Sequence, residues 1–127
     1  RGRWERLGER PFVVCDTGHN ESGIAEVAAQ IARQTYRKLY MVVGFVEDKD
    51  LSRVLPLLPR QAHYVFTKAG IRRALDEREL ARRAAGYGLQ GECVPTVNEA
   101  LARARELAGP DDMIFIGGST YVVAEVL

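Results

Sequence analysis

Four short apolar runs, separated by segments of helical period, constrain the fold of this 127-residue chain more than any other feature. They are Phe12-Val13-Val14-Cys15, Leu39-Tyr40-Met41-Val42-Val43, Tyr64-Val65-Phe66 and Met113-Ile114-Phe115-Ile116. Runs this short, rich in β-branched and aromatic residues and apolar on both sides of the pleat, fit strands covered on both faces. Glu92-Cys93-Val94 is a weaker and shorter candidate. Between the runs, Ile24, Val27, Ala28 and Ile31 share one helical face, with Asn20 or Ser22 as the cap. Leu51, Val54, Leu55 and Leu58 suggest a short second helix that Pro56 ends or kinks. Asp76 to Glu79 has the spacing of an acidic capping box and opens a helix with Leu80, Ala81, Ala84 and Tyr87 inward. Thr96 and Glu99 form a capping box ahead of Val97, Leu101, Ala104 and Ala108, and Gly109-Pro110 stops that helix. A last helix starts near Ser119 and carries Val122, Val123 and Val126.

Strand–helix alternation implies right-handed crossovers and a mostly parallel sheet with helices on both faces, a three-layer α/β domain. Arg3 to Leu7 departs from this pattern. Only Gly8-Glu9-Arg10-Pro11 separates it from the next strand, too little for a crossover, so it is expected at the sheet edge in an antiparallel hairpin.

Eighteen Lys and Arg balance seventeen Asp and Glu, a net charge of +1. That balance argues against nucleic acid or an anionic membrane surface as partner. No apolar run approaches the roughly 18 residues of a membrane span, and no signal-peptide pattern is visible. Cys15 and Cys93 lie far apart in apolar surroundings and read as core thiols of a reduced, cytoplasmic protein. The chain opens at Arg1 without Met and stops at Leu127 inside an apolar helical pattern, which suggests a piece of something longer.

In open α/β sheets, ligands bind beyond the carboxyl ends of the strands. That rule selects Asp16-Thr17-Gly18-His19-Asn20, Gly117-Gly118-Ser119-Thr120, Gly44 through Asp50, and Lys68 through Arg73. In the first, a carboxylate at a strand end precedes a glycine turn and a helix start; Asp16 and Asn20 also suit plain turn and cap roles. In the second, two glycines and two hydroxyls can hold a carboxylate or phosphate, or simply make a tight turn with Ser119 as cap. In the third, Lys49 stands between Asp48 and Asp50, in what also reads as a solvated loop. The fourth is basic, and its charges read as a solvated face. The chain has no G-x-x-x-x-G-K-[ST] phosphate loop, no G-x-G-x-x-G, no zinc-like Cys/His spacing and no G-x-S-x-G elbow. The residues alone support an α/β ligand-binding domain.

Taken in order, five groups of residues resemble a known pattern: Gly2-Arg3-Trp4-Glu5, Asp16-Thr17-Gly18-His19-Asn20, Gly44 with Asp48-Lys49-Asp50, Arg73-Ala74, and Gly118-Ser119 with Tyr121. The pattern is that of the C-terminal domain of folylpolyglutamate synthases, including bifunctional dihydrofolate synthases, within the Mur-type ATP-dependent amide ligases. Thr17 stands where many members have Gly. The resemblance implies a six-stranded Rossmann-like sheet in the order 1-2-6-3-4-5 with the first strand antiparallel. In that order Asp16, His19, Lys49 and Ser119 would converge on one crevice. It implies a ligase that uses ATP and Mg²⁺ to convert the γ-carboxylate of a reduced folate to an acyl phosphate, which the amine of L-glutamate then attacks. The phosphate loop, the Mg²⁺ ligands and most of the folate site would belong to an N-terminal ATPase domain, with residues 1–127 forming the C-terminal domain and supplying no metal ligand. By the same resemblance Arg3 meets the ATP phosphates and Asp16 the ribose. His19, Ser119 and Lys49 belong to the catalytic region, and His19, Asn20, Asp48 and Ser119 to the substrate side, with His19 binding a carboxylate when protonated. The alternatives are a peptidoglycan-precursor ligase of the same group and a non-catalytic anion-binding module.

Overall fold

The apolar runs become strands of one sheet in the computed structural model, which describes residues 1–127. The strands are β1 (Glu5–Glu9), β2 (Phe12–Asp16), β3 (Leu39–Val43), β4 (His63–Phe66), β5 (Gly91–Cys93) and β6 (Met113–Gly117). Their spatial order is β1-β2-β6-β3-β4-β5; β1 pairs antiparallel with β2, and every other pair is parallel. The helices are α1 (Glu21–Ala32), α2 (Glu77–Ala85), α3 (Val97–Leu107) and α4 (Thr120–Ala124). None is long and apolar enough to cross a membrane.

Side-chain alternation along the strands builds two cores. Met113 and Phe115 of β6 point to one face, with Val14, Met41, Val43 and Phe66; there α1 lays down Ile24, Val27 and Ile31, and α2 adds Leu80 and Ala84. Ile114 and Ile116 point to the other, with Val13, Cys15, Val42 and Val65, against Val97, Ala100 and Ala104 of α3 and Val122 and Val123 of α4. This is the expected three-layer arrangement.

Local chemistry explains most boundaries. Asn20 is the cap of α1, its Oδ1 accepting from Gly23 N at 2.8 Å, while Ser22 only donates to the same oxygen at 3.2 Å. Thr96 Oγ1 accepts from Glu99 N at 3.3 Å and donates to the Glu99 carboxylate at 2.7 Å, closing the capping box onto itself. Several expectations need correction. Residues Leu51–Leu58 form two short 3₁₀ turns, Leu51–Arg53 and Leu55–Leu57, and not one helix, because Pro56 has no N–H to continue it. Their Leu51, Val54, Leu55 and Leu58 are buried all the same. The first strand begins at Glu5 and not at Arg3, because Trp4 sits at φ 45°, a left-handed conformation that no strand continues through. Tyr87 and Ala108 fall beyond α2 and α3, and Val94 beyond β5. Cys93 is exposed, so only Cys15 is a core thiol, and burial pushes that thiol up to about 11.

Asp112, just before β6, ties three strand starts together. Its fully buried carboxylate accepts from Lys38 N at 3.1 Å, Gly109 N at 2.8 Å and Arg37 Nη2 at 3.1 Å, and its own carbonyl accepts from Phe12 N at 3.3 Å. Burial alone would raise this carboxyl, but the Gly109 N–H, the Arg37 guanidinium and the Lys38 N–H outweigh it and hold it below the usual carboxylate range. A carboxyl depressed in the folded state contributes stability that is complete above its unfolded value of about 4 and is lost as pH falls through the folded one. Asp112→Asn turns an acceptor into a donor facing donors, so it is expected to cost about 2–4 kcal/mol near neutral pH. The variant should also lose less stability than the parent on acidification. Urea unfolding at neutral and acid pH checks both; equal midpoints for the two chains at neutral pH would refute the assignment.

Candidate functional site

The loops that leave β2, β6, β3 and β4 meet at the carboxyl edge of the sheet, because β6 lies between β2 and β3. Two glycines permit this close approach. Gly118 stands at φ +104°, and a Cβ there would meet the Gly44 carbonyl oxygen at 2.5 Å; a Cβ on Gly44 would meet the Thr67 carbonyl oxygen at 2.8 Å. The three loops therefore stack backbone on backbone, and no larger residue fits at the crossing.

Asp16 ends β2 and is buried. Its Oδ1 accepts from Gly18 N at 2.7 Å and its Oδ2 from Trp4 N at 2.8 Å, while Arg3 Nε lies 3.4 Å from Oδ1. One carboxylate thus folds the N-terminal residues across the end of β2 and shapes the turn that delivers His19. Thr17 N donates to Gly2 O at 2.8 Å and completes the clasp. Arg3 is more than half exposed, with Glu26 3.8 Å away as its second carboxylate neighbour. His19 is exposed and its Nδ1 lies 3.1 Å from Thr17 O. A carbonyl only accepts, so Nδ1 carries the hydrogen there and Nε2 is left open.

Ser119 is the cap of α4; its Oγ accepts from Val122 N at 3.1 Å, which leaves its hydroxyl hydrogen available. Lys49 is half-buried in the loop after β3 and forms no ion pair, although Asp48 and Asp50 flank it in sequence. Asp50 is instead occupied by capping, accepting from Ser52 Oγ at 2.6 Å and Ser52 N at 3.1 Å, and these bonds hold its carboxyl below the usual range.

His19, Lys49 and Ser119 line one recess of about 220 Å³, joined by Arg73 and Tyr121. No carboxylate lines it. Lys49 also borders a neighbouring recess of about 420 Å³, where Asn20 and Asp48 lie beside Asp50 and Arg53. The expected convergence thus holds for His19, Lys49 and Ser119. Asp16 does not line that recess; its oxygens are turned to backbone N–H groups behind it. Asn20 and Asp48 open on the adjoining recess, and Arg3 stays with Asp16.

The basic run through Arg73 reads as a solvated face in sequence, yet Arg73 lines the recess. Its loop is anchored by Glu47 N donating to Arg73 O at 2.7 Å and by Leu75 N donating to Phe45 O at 2.8 Å, so the β3 and β4 loops pair with each other. Nothing in the local pattern announces that pairing; the position of Arg73 after a strand end was the available signal. No three His, Cys, Asp or Glu side chains converge closely enough to hold a metal ion. A larger recess, about 590 Å³, lies at the opposite, amino edge of the sheet, away from all of these residues.

Residues 2–120 match the family model described as Mur ligase, glutamate ligase domain. The chain is 40% identical over 127 residues to a probable bifunctional folylpolyglutamate synthase/dihydropteroate synthase of Haloferax volcanii, covering 98% of this chain and 15% of that protein. It is 28% identical over 128 residues to the folylpolyglutamate synthase of Lacticaseibacillus casei, covering 98% of this chain and 28% of the relative. It superposes with a TM-score of 0.85 on the Mycobacterium tuberculosis folylpolyglutamate synthase complexed with ADP and AMPPCP, at 31% identity, covering 98% of this chain and 31% of that one. The chain therefore spans less than a third of the length of each of these proteins.

The clasp at Asp16 is testable without any ligand. Asp16→Asn places an amide donor against the Gly18 or Trp4 N–H, and is expected to cost about 1–3 kcal/mol. Hydrogen exchange at the Trp4 and Gly18 amides should quicken by about tenfold or more while β6 amides keep their relative order of protection. Unchanged exchange at both amides would show that the carboxylate does not hold this turn.

Proposed function

The chain belongs to the glutamate ligase domain family of the Mur ligases, and from that premise we propose that it is the C-terminal domain of an ATP-dependent ligase that joins L-glutamate to the γ-carboxylate of a reduced folate. The observation that carries this reading is the recess of His19, Lys49, Arg73 and Ser119, with two cations free of ion pairs and no carboxylate in its lining. Glutamate brings two carboxylates to a centre that also holds phosphate. Charges of that sign repel each other unless fixed cations offset them, and charge-assisted hydrogen bonds from Lys and Arg do so.

ATP supplies the phosphoryl group that activates the folate carboxylate, and the P-loop that would hold it has no counterpart in these residues. The N-terminal ATPase domain is proposed to provide it, together with Mg²⁺ and most of the folate site. The residues of this chain then have the following work. Lys49 and Arg73 bind the carboxylates of the incoming amino acid, and the Ser119 hydroxyl donates to one of them. His19, open at Nε2, completes the wall of the same recess. Arg3, exposed at the end of the clasp, meets the phosphates, and its planar guanidinium suits a phosphate oxygen pair. Asp16 positions Arg3 and His19; the ribose is its proposed ligand through the remaining lone pair of Oδ2. Asn20 caps α1 and Asp48 borders the adjoining recess, on the substrate side. Closure over the N-terminal domain would shield the acyl phosphate from water. The free thiols of Cys15 and Cys93 fit work in the reducing cytoplasm.

The test uses the ligase containing both domains. Lys49→Ala and Arg73→Ala should each raise the KM for glutamate by about tenfold or more, with a smaller change in kcat, because they remove ground-state binding of the amino acid. The KM for ATP should move little in either. The 127-residue chain alone should form no glutamyl product from ATP, folate and glutamate. Unchanged glutamate KM in both variants would overturn the site, and ligation by the chain alone would overturn the division of labour.

A further inference from the structure

We infer that the recess at the amino edge of the sheet is a second binding site, for a small flat aromatic molecule that carries an anionic group. It is independent of the ligase reading, since it lies at the opposite ends of the same strands. The recess measures about 590 Å³, within the range of small-molecule sites. It opens where β3 and β4 begin, beneath the C-terminal half of α3, with Tyr36, Tyr40, His63 and Leu107 as its apolar and aromatic walls.

Its charged side is built and held in place. Glu92 Oε2 lies 2.6 Å from His63 Nε2, and its Oε1 accepts from Arg103 Nε at 2.7 Å. Arg103 is held a second time by Glu106 at 2.8 Å. Arg103, and then His63, hold the Glu92 carboxyl below the usual carboxylate range. Both oxygens of the only carboxylate lining the recess are therefore committed to its own walls. Across from this chain, Arg37 is pinned by Asp112 at 3.1 Å but remains more than half exposed, and Lys38 beside it forms no ion pair. Lys38 thus faces the recess as a cation free of any ion pair, beside the exposed guanidinium of Arg37 and the doubly paired Arg103. The rings are pre-set too: Tyr40 and His63 meet edge-on with centroids 5.8 Å apart, and the Tyr40 hydroxyl donates to Leu107 O at 3.4 Å. Walls fixed before binding lose little freedom when a ligand arrives. A ring would lie along the tyrosine and leucine side while its anionic group pairs with Lys38 and Arg37, and cations of this kind serve carboxylate and phosphate alike.

The experiment titrates the ¹⁵N-labelled 127-residue chain with phenyl phosphate and, separately, benzoate, using inorganic phosphate and benzyl alcohol as controls. Saturable shifts of the Lys38, Tyr40, His63 and Glu92 amides are expected, with a Kd of about 1 mM or tighter for at least one of the two aromatic anions. The two arms tell a carboxylate ligand from a phosphate ligand. Each control should bind about tenfold more weakly or not at all, since each lacks half of the recognised chemistry. Lys38→Glu, at an exposed side chain with no internal partner, should weaken the aromatic anion by about tenfold while the dispersed spectrum is retained. The site is refuted by the absence of saturable shifts up to about 10 mM, by shifts that map to residues 49, 73 and 119, by equal binding of inorganic phosphate, or by full affinity in the Lys38→Glu chain.

Discussion

The last strand in sequence is the middle strand in space, and the rest of the molecule is arranged around that insertion. Met113–Gly117 pairs with Phe12–Asp16 on one side and Leu39–Val43 on the other, and every residue of it is buried. Its side chains feed both cores, so neither helical layer closes until it is in place. Such long-range pairing carries a large loop-closure cost, offset only by burial on both faces. Asp112 answers the polar problem at the entry of this strand by taking three donors at once. The two glycines at its exit solve a steric one, since Gly118 must pass the Gly44 carbonyl without a side chain.

The site follows from the same insertion. Had β6 been placed at an edge, the loops bearing His19 and Lys49 would be adjacent without Ser119 between them. With β6 central, three loops from distant parts of the chain share one small recess. The β4 loop adds Arg73 by pairing its backbone with the β3 loop. Asp16 stands just behind this meeting point and performs the structural half of the work: it holds the chain start against β2 and turns His19 outward. A residue that looks like a ligand-facing carboxylate in sequence is, in its immediate contacts, a hub for backbone N–H groups. Lys49 shows the reverse. Flanked by two aspartates in what reads in sequence as a solvated loop, it lines the recess, and Asp50 turns to Ser52 and leaves the ammonium free.

The two ends of the sheet divide their chemistry. At the carboxyl edge, short loops with glycines and unpaired cations make a small, open recess. At the amino edge, a larger recess is bounded by tyrosines and by a chain of paired charges. This larger recess is therefore not where the family resemblance and the strand-end rule put the reaction, and its better-fixed walls are what suggest a ligand of its own.

Strand identity, the three-layer class, the caps at Asn20 and Thr96 and the strand-end positions of Asp16, His19 and Ser119 were all determined by the sequence itself, because apolar period and capping chemistry act over a few residues. The family's sheet order was accessible too, through residues spread from Gly2 to Tyr121. Only the tertiary structure decided that β1 starts after a left-handed Trp4, that Cys93 lies outside the core, and that Arg73 belongs to the recess while Asp16 stands behind it. Those outcomes depend on which backbone groups find partners across 12 or more residues, as Trp4 N finds Asp16 and Glu47 N finds Arg73 O. No local pattern encodes such a pairing; it exists only once the strands have taken their places.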